Sequence, residues 1–154
     1  TLPDMNNALQ RGEVDAAFLW EPMLSKLELE HSIRILRDGK GLKNAIAVIE
    51  ATDSFATKNR AEAKAVLRAF QRGADLIRRK PDEAAKLVAT ELNQPEPIIR
   101  RSLDKFVYGP EFSTEIIDAL AGTESFLREQ KLSRTPVDIK RFADQSLLQE
   151  LSKK

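Results

Sequence analysis

The sequence has no cysteine and a single histidine, His31, among 154 residues. Without a thiol there is no cysteine nucleophile, no disulfide and no thiolate metal site. One imidazole alone does not furnish most transition-metal ligand sets, so no metal and no cofactor is expected. The missing cysteines do not by themselves decide a compartment. Glycine (6) and proline (7) are sparse, which excludes a low-complexity or collagen-like chain. No stretch approaches the roughly 18 consecutive apolar residues that a membrane-spanning helix requires. Neither sign of charge is in excess. Lys plus Arg (25) nearly cancels Asp plus Glu (24), and a net charge of +1 sets up no general field for nucleic acid.

What remains is a chain of single-domain size, 42% apolar and 32% charged, which has enough apolar content to fold around a core. Its opening, Thr1-Leu2-Pro3-Asp4, has no initiator Met and no charged segment leading into an apolar one. That is the pattern of processed material or of a piece of something longer.

The first third reads as α/β. Met5, Ala8 and Leu9 mark a short helix over 3–11, and Gly12 punctuates it. Residues 14–20 then form a nearly continuous apolar run, the mark of a strand buried on both faces. Glu21-Pro22 starts a helix whose buried stripe would be Met23, Leu24, Leu27 and Leu29. Residues 33–36 and 45–49 are two more strand candidates, separated by the loop signal Asp38-Gly39-Lys40-Gly41. After residue 52 the chain reads as mostly helical. Val66, Phe70, Gly73, Ala74 and Ile77 share one face of a helix over 60–80. Helices follow over 81–93 (stripe Ala84, Leu87, Val88, Leu92) and 97–107 (Ile99, Leu103, Phe106). Ser113 caps another that runs to about Gln130, a connector covers 132–137, and Asp144 caps the last.

Few residues suggest chemistry. His31 lies in the acidic run Glu28-Leu29-Glu30-His31, a solvated helix end. No Gly-x-Ser-x-Gly turn supports a Ser-His-Asp triad. Asp38 to Gly41 lacks both the Walker and the dinucleotide patterns and reads as a tight turn. The basic runs Arg78-Arg79-Lys80 and Arg100-Arg101 read as solvated helix faces. No catalytic residue is expected. Trp20-Glu21-Pro22 differs, because it follows a strand candidate and opens a helix. In open α/β sheets that is where ligands bind. The only tryptophan of the chain occupies that place, beside a carboxylate.

The stretch Ala8-Leu9-Gln10-Arg11-Gly12-Glu13-Val14-Asp15-Ala16-Ala17-Phe18-Leu19-Trp20-Glu21-Pro22 resembles a motif of the solute-binding proteins of ABC importers. The branch is the one that serves sulfonates, taurine, nitrate and thiamine precursors. Asp38 to Gly41, Phe55-Ala56 and Lys80-Pro81-Asp82-Glu83-Ala84-Ala85 follow in the family's order. Phe126-Leu127, Lys131-Leu132 and Val137-Asp138-Ile139 match a late signature loosely. Arg60 stands where the family usually has Pro, and Lys131 where it usually has Gly.

The resemblance implies a type II periplasmic binding protein fold, of which this chain is the C-terminal portion. Residues 1–44 would end lobe two, and 45–154 would form the return crossover strand and the helices completing lobe one. It implies non-covalent capture of a small organic solute (a sulfonate, a nitrate-like anion or a thiamine precursor) in a cleft, and delivery to an ABC permease in the membrane. Turnover is not implied. Location would be periplasmic, or extracellular and membrane-anchored in a Gram-positive. Trp20 would be the aromatic at the cleft edge and Glu21 its acidic neighbour, which disfavours anions unless paired elsewhere. Asn44 would be a further polar contact. Half of a clamshell site binds solute weakly, and its uncovered face could pair it as a homodimer. The alternative is a helical protein-interaction module without a solute site.

Overall fold

Helices supply all the regular secondary structure among the described residues, 1–42 and 45–152 of the computed structural model. They are α1 (Leu2–Gln10), α2 (Met23–Leu29), α3 (Asp53–Lys58), α4 (Arg60–Arg79) and α5 (Pro81–Leu92). α6 (Glu96–Leu103), α7 (Thr114–Glu129), α8 (Ile139–Phe142) and α9 (Ser146–Ser152) complete the order. No described helix is long and apolar enough to cross a membrane.

Their beginnings follow local side-chain chemistry. Thr52 Oγ1 accepts from Phe55 N–H at 3.2 Å and Ser113 Oγ from Ile116 N–H at 3.4 Å. Asp138 Oδ1 accepts from Arg141 N–H at 3.1 Å, and Asp144 Oδ1 from Ser146 N–H at 2.8 Å. Each satisfies an amide that the first helical turn leaves free. The short helices α3 and α8, absent from the sequence expectations, exist through two of these caps. Three helix ends close on a non-glycine residue in the left-handed region, His31 (φ 51°), Asn93 (φ 49°) and Lys131 (φ 58°). After each, an amide reaches back across the last turn: Ser32 to Leu27 O (3.1 Å), Gln94 to Ala89 O (2.9 Å) and Leu132 to Leu127 O (2.8 Å). This closure favours glycine, and Lys131 holds the place where the resembled family has one.

The three strand candidates form no ladder among the described residues, so the α/β expectation for the first third is not met there. Residues 14–20, 33–36 and 45–49 carry no regular structure, with Phe18 80% and Leu36 71% exposed. An apolar run records a demand for burial on both faces. A strand meets it only when neighbouring strands take its N–H and C=O groups, and none is present among the described residues.

The chain divides into two compact units, Thr1–Arg37 with Gly73–Tyr108, and Asp38–Arg72 with Gly109–Lys154. In the first, α5 packs on α6. Ala84, Ala85 and Ala89 meet Ile99 and Leu103, flanked by Leu76, Ile77, Val88 and Tyr108. The buried face of α5 is therefore its alanine face, and Leu87 and Leu92 of the expected stripe lie more than half exposed. Small side chains let α6 approach closely, so Ile99 and Leu103 bury against it, at about 2 kcal/mol each. α2, whose Leu27 is fully buried, packs on α6.

The second unit has a sparser interior, with Ala63 and Ile117 buried. Val66 and Phe70, expected on a buried face of α4, are exposed here; of the same face within the first unit, Gly73 is exposed and Ala74 buried. Arg60 binds Glu150 and donates to Ser146 Oγ at 3.0 Å, and Lys64 pairs with Glu150 at 3.2 Å. The departure from the family's proline at 60 thus anchors α9 to the start of α4.

Replacing Lys131 by Gly should relieve the left-handed backbone. We expect a gain of about 0.5–1 kcal/mol. It would appear as a higher urea midpoint at unchanged slope; an unchanged or lower midpoint would contradict this account of the α7 end.

Candidate functional site

The residue after the first apolar run is an acid turned inward. The Glu21 side chain is 9% exposed. Its Oε2 accepts from Ser25 N–H at 3.1 Å and from the Ser102 hydroxyl at 2.6 Å, and Oε1 lies 2.7 Å from Lys105 Nζ. The Glu21–Pro22 peptide is cis. Further along α2, Glu28 Oε2 accepts from Lys105 Nζ at 2.5 Å and from Arg101 Nε at 2.9 Å. Lys105, just past the end of α6, therefore stands between two carboxylates.

Charge and burial compete here with a clear outcome. Burial acts to raise the Glu21 carboxyl, and the bonds from Lys105, Ser102 and Ser25 together outweigh it, leaving it below the ordinary carboxylate range. For Glu28 the Arg101 bond is the largest influence and burial opposes it. With Lys105 added, the group is held at about 2. Lys105 responds in the opposite sense. Desolvation acts to lower it, but its bonds to Glu21 and Glu28 prevail and raise it. Two carboxylates and two cations thus balance within one patch.

Trp20 stands at the surface next to this patch. It is 50% exposed, and its ring centroid lies 6.5 Å from that of the more exposed Phe18, with planes tilted by 48°. Its carbonyl accepts from Leu24 N–H at 3.2 Å. Of the residues expected at the site, Trp20 is presented to solvent, while the Glu21 carboxylate faces α6. Asn44 lies outside the described residues.

Sequence reasoning misses the partners of Glu21. Arg101 reads from sequence as part of a solvated face, and Glu28 as part of a solvated helix end. One signal is available: Glu21, Ser25 and Glu28 recur at i, i+4, i+7, and Arg101, Ser102 and Lys105 cluster at i, i+1, i+4. Both place polar groups on one helical face.

Elsewhere, a cavity of about 370 Å³ in the second unit is lined by Phe112, Thr114, Ile117, Asp118, Lys140 and Gln145. Among the described residues no group of three or more potential metal ligands converges.

No protein-family model matches the chain. The chain is 33% identical over 104 residues to the "Putative aliphatic sulfonates-binding protein" of Escherichia coli (strain K12), covering 68% of this chain and 33% of that protein. The crystal structure of the periplasmic aliphatic sulphonate binding protein SsuA from Escherichia coli superposes with a TM-score of 0.80 at 29% identity. That match covers 96% of this chain and 51% of the other. The alkanesulfonate-binding protein SsuA from Xanthomonas axonopodis pv. citri, bound to MOPS, shares the fold with a TM-score of 0.68 at 23% identity. It is covered over 49% of its length, against 90% of this chain. The chain thus spans a third of the curated relative and about half of the solved structures.

Because Glu21 and Glu28 are held below their ordinary values, their pairing contributes stability that is complete above the unfolded value of 4.5. It is lost as pH falls from there toward about 2 for Glu28. The urea midpoint should fall steeply across that window, and Glu28→Gln should flatten the slope. Equal slopes in the two proteins would contradict the pairing. At neutral pH, Lys105→Met leaves the largely buried Glu21 without a cation, while Glu28 keeps Arg101, and should cost about 2 kcal/mol, read as a lower urea midpoint.

Proposed function

We propose that this chain, related in sequence and in fold to aliphatic sulfonate-binding proteins, is part of the solute-binding component of an ABC importer. Its task is non-covalent capture of a small organic solute, an aliphatic sulfonate first among the expected classes, followed by hand-over to a membrane permease from the periplasmic side. The solute leaves chemically unchanged, so no catalytic group is required.

One observation carries this reading: a half-exposed Trp20 sits beside a carboxylate already neutralised by Lys105. An apolar solute tail can lie on the indole face, while its anionic head meets no uncompensated negative charge from Glu21. A bare glutamate at this place would repel a sulfonate; a glutamate spent on Lys105 and Ser102 does not.

In this proposal the runs 14–20, 33–36 and 45–49 become strands of an α/β sheet when the rest of a two-lobe protein supplies their neighbours. Their exposed apolar side chains support that reading, since a parallel strand is buried on both faces. Tight capture needs contacts from both lobes, and the chain by itself binds weakly.

Deleting the gene that encodes this chain should leave growth of its host on sulfate intact and abolish growth on an alkanesulfonate as sole sulfur source. Restoring it with Trp20→Ala should recover growth poorly. Calorimetry with butanesulfonate on the gene product should give about tenfold weaker binding for that variant, roughly 1.4 kcal/mol. Equal growth of the deletion strain on both sulfur sources would overturn the proposal and favour a protein-interaction role.

A further inference from the structure

We propose that Glu21 is a positioning residue, not a solute contact: with Ser102 and Lys105 it clamps the backbone next to Trp20 onto the end of α6, and so holds the indole in place. This rests on the reading of Trp20 as the solute-facing wall and adds how that wall is kept in position.

Packing alone does not hold Trp20. The run before it has no regular structure, and its aromatic neighbour Phe18 is itself 80% exposed. A half-exposed indole on such a segment keeps half of its surface in solvent, so restraint of its backbone adds to what packing supplies. Two sets of bonds fix the chain at this point. One is the Leu24 N–H bond to the Trp20 carbonyl. The other is the Glu21 carboxylate, which takes a backbone amide from α2, a hydroxyl from α6 and the Lys105 ammonium. The second set is largely buried and charge-assisted, so it restrains the neighbouring residue more firmly than a solvated bond would. Lys105 is held in turn by Glu28, which Arg101 also binds, so the clamp has a fixed far end. Oε2 holds two hydrogen bonds and Oε1 is buried against Lys105, so the carboxylate faces the clamp and not a solute.

A solute with an apolar tail then meets an indole already oriented, and less entropy is lost on binding. The clamp is also a charge device. Removing Lys105 would free the segment and at the same time expose negative charge beside Trp20.

Trp20 is the only tryptophan in the sequence, so its fluorescence reports this position alone. Time-resolved anisotropy of the full chain, with no solute present, should show a small fast component in the parent protein. Ser102→Ala and Lys105→Met should each raise the fast amplitude roughly twofold. Lys105→Arg, which keeps the cation, should restore it toward the parent value. Iodide should also quench Lys105→Met less, relative to neutral acrylamide, than it quenches the parent. Arg100→Ala breaks the 2.7 Å pair with Asp82 between α5 and α6 without touching Glu21, and should leave the indole unchanged.

Circular dichroism sets the temperature at which every variant keeps parental helix content. Ser102→Ala, which loses a single hydroxyl, secures the comparison if Lys105→Met does not fold. Fast amplitudes equal to the parent in the folded variants, or an equal rise in Arg100→Ala, would overturn the proposal. Because no solute enters the measurement, that failure would leave the proposed function standing. A failed growth test would leave the clamp standing.

Discussion

The first unit depends on one lysine held between two carboxylates. Lys105 meets Glu21 at 2.7 Å and Glu28 at 2.5 Å, both carried at or within the helix that begins at Met23. Leu27 of α2 is fully buried, but apolar burial is non-directional and does not choose a register. The ion pairs do, because a displaced α2 would leave a largely buried carboxylate unpaired. Ser102 Oγ and the Ser25 amide both donate to Oε2 of Glu21, and the Lys105 ammonium faces its buried Oε1. Trp20, one residue before this anchored carboxylate, is half exposed.

The rest of the first unit is built by a different rule. α5 offers alanines to α6, and the larger Leu87 and Leu92 stay at the surface. The close approach made possible by Ala84, Ala85 and Ala89 gives the smallest side chains the largest structural effect. The second unit relies more on ion pairs. Glu150 gathers Arg60 and Lys64 at one end of α4, at sites open enough for water and salt to weaken each pair. Such contacts direct where α9 lies more than they stabilise it.

The exposed apolar runs contrast with the packed helices. Residues 14–20, 33–36 and 45–49 have strand composition and no strand neighbours among the described residues, so their composition fits a larger sheet than these residues build. A helix closes its own hydrogen bonds and forms from local sequence, but a strand borrows its partners from elsewhere. That difference explains why helices are formed among the described residues and strands are not. It also agrees with a chain spanning about half the length of the binding proteins of known structure that it resembles.

Local sequence is enough to set the helix ends and to carry the family resemblance. The caps at Ser113 and Asp144 and the proline that opens α5 act over one turn, so the residue types present suffice to place them. The motif around Trp20-Glu21-Pro22 is legible for the same reason, as a contiguous string. Folding chooses which face of α5 is buried, because Leu87 and Ala85 differ by direction and not by propensity. It also brings Ser102 to Glu21 across 81 positions of chain, a meeting that no local pattern records. In sequence Glu21 is the acidic neighbour of a tryptophan at the start of a helix; packing against α6 makes it a neutralised anchor. The physical reason is range: caps and turns are settled by neighbours in sequence, and charge compensation by neighbours in space.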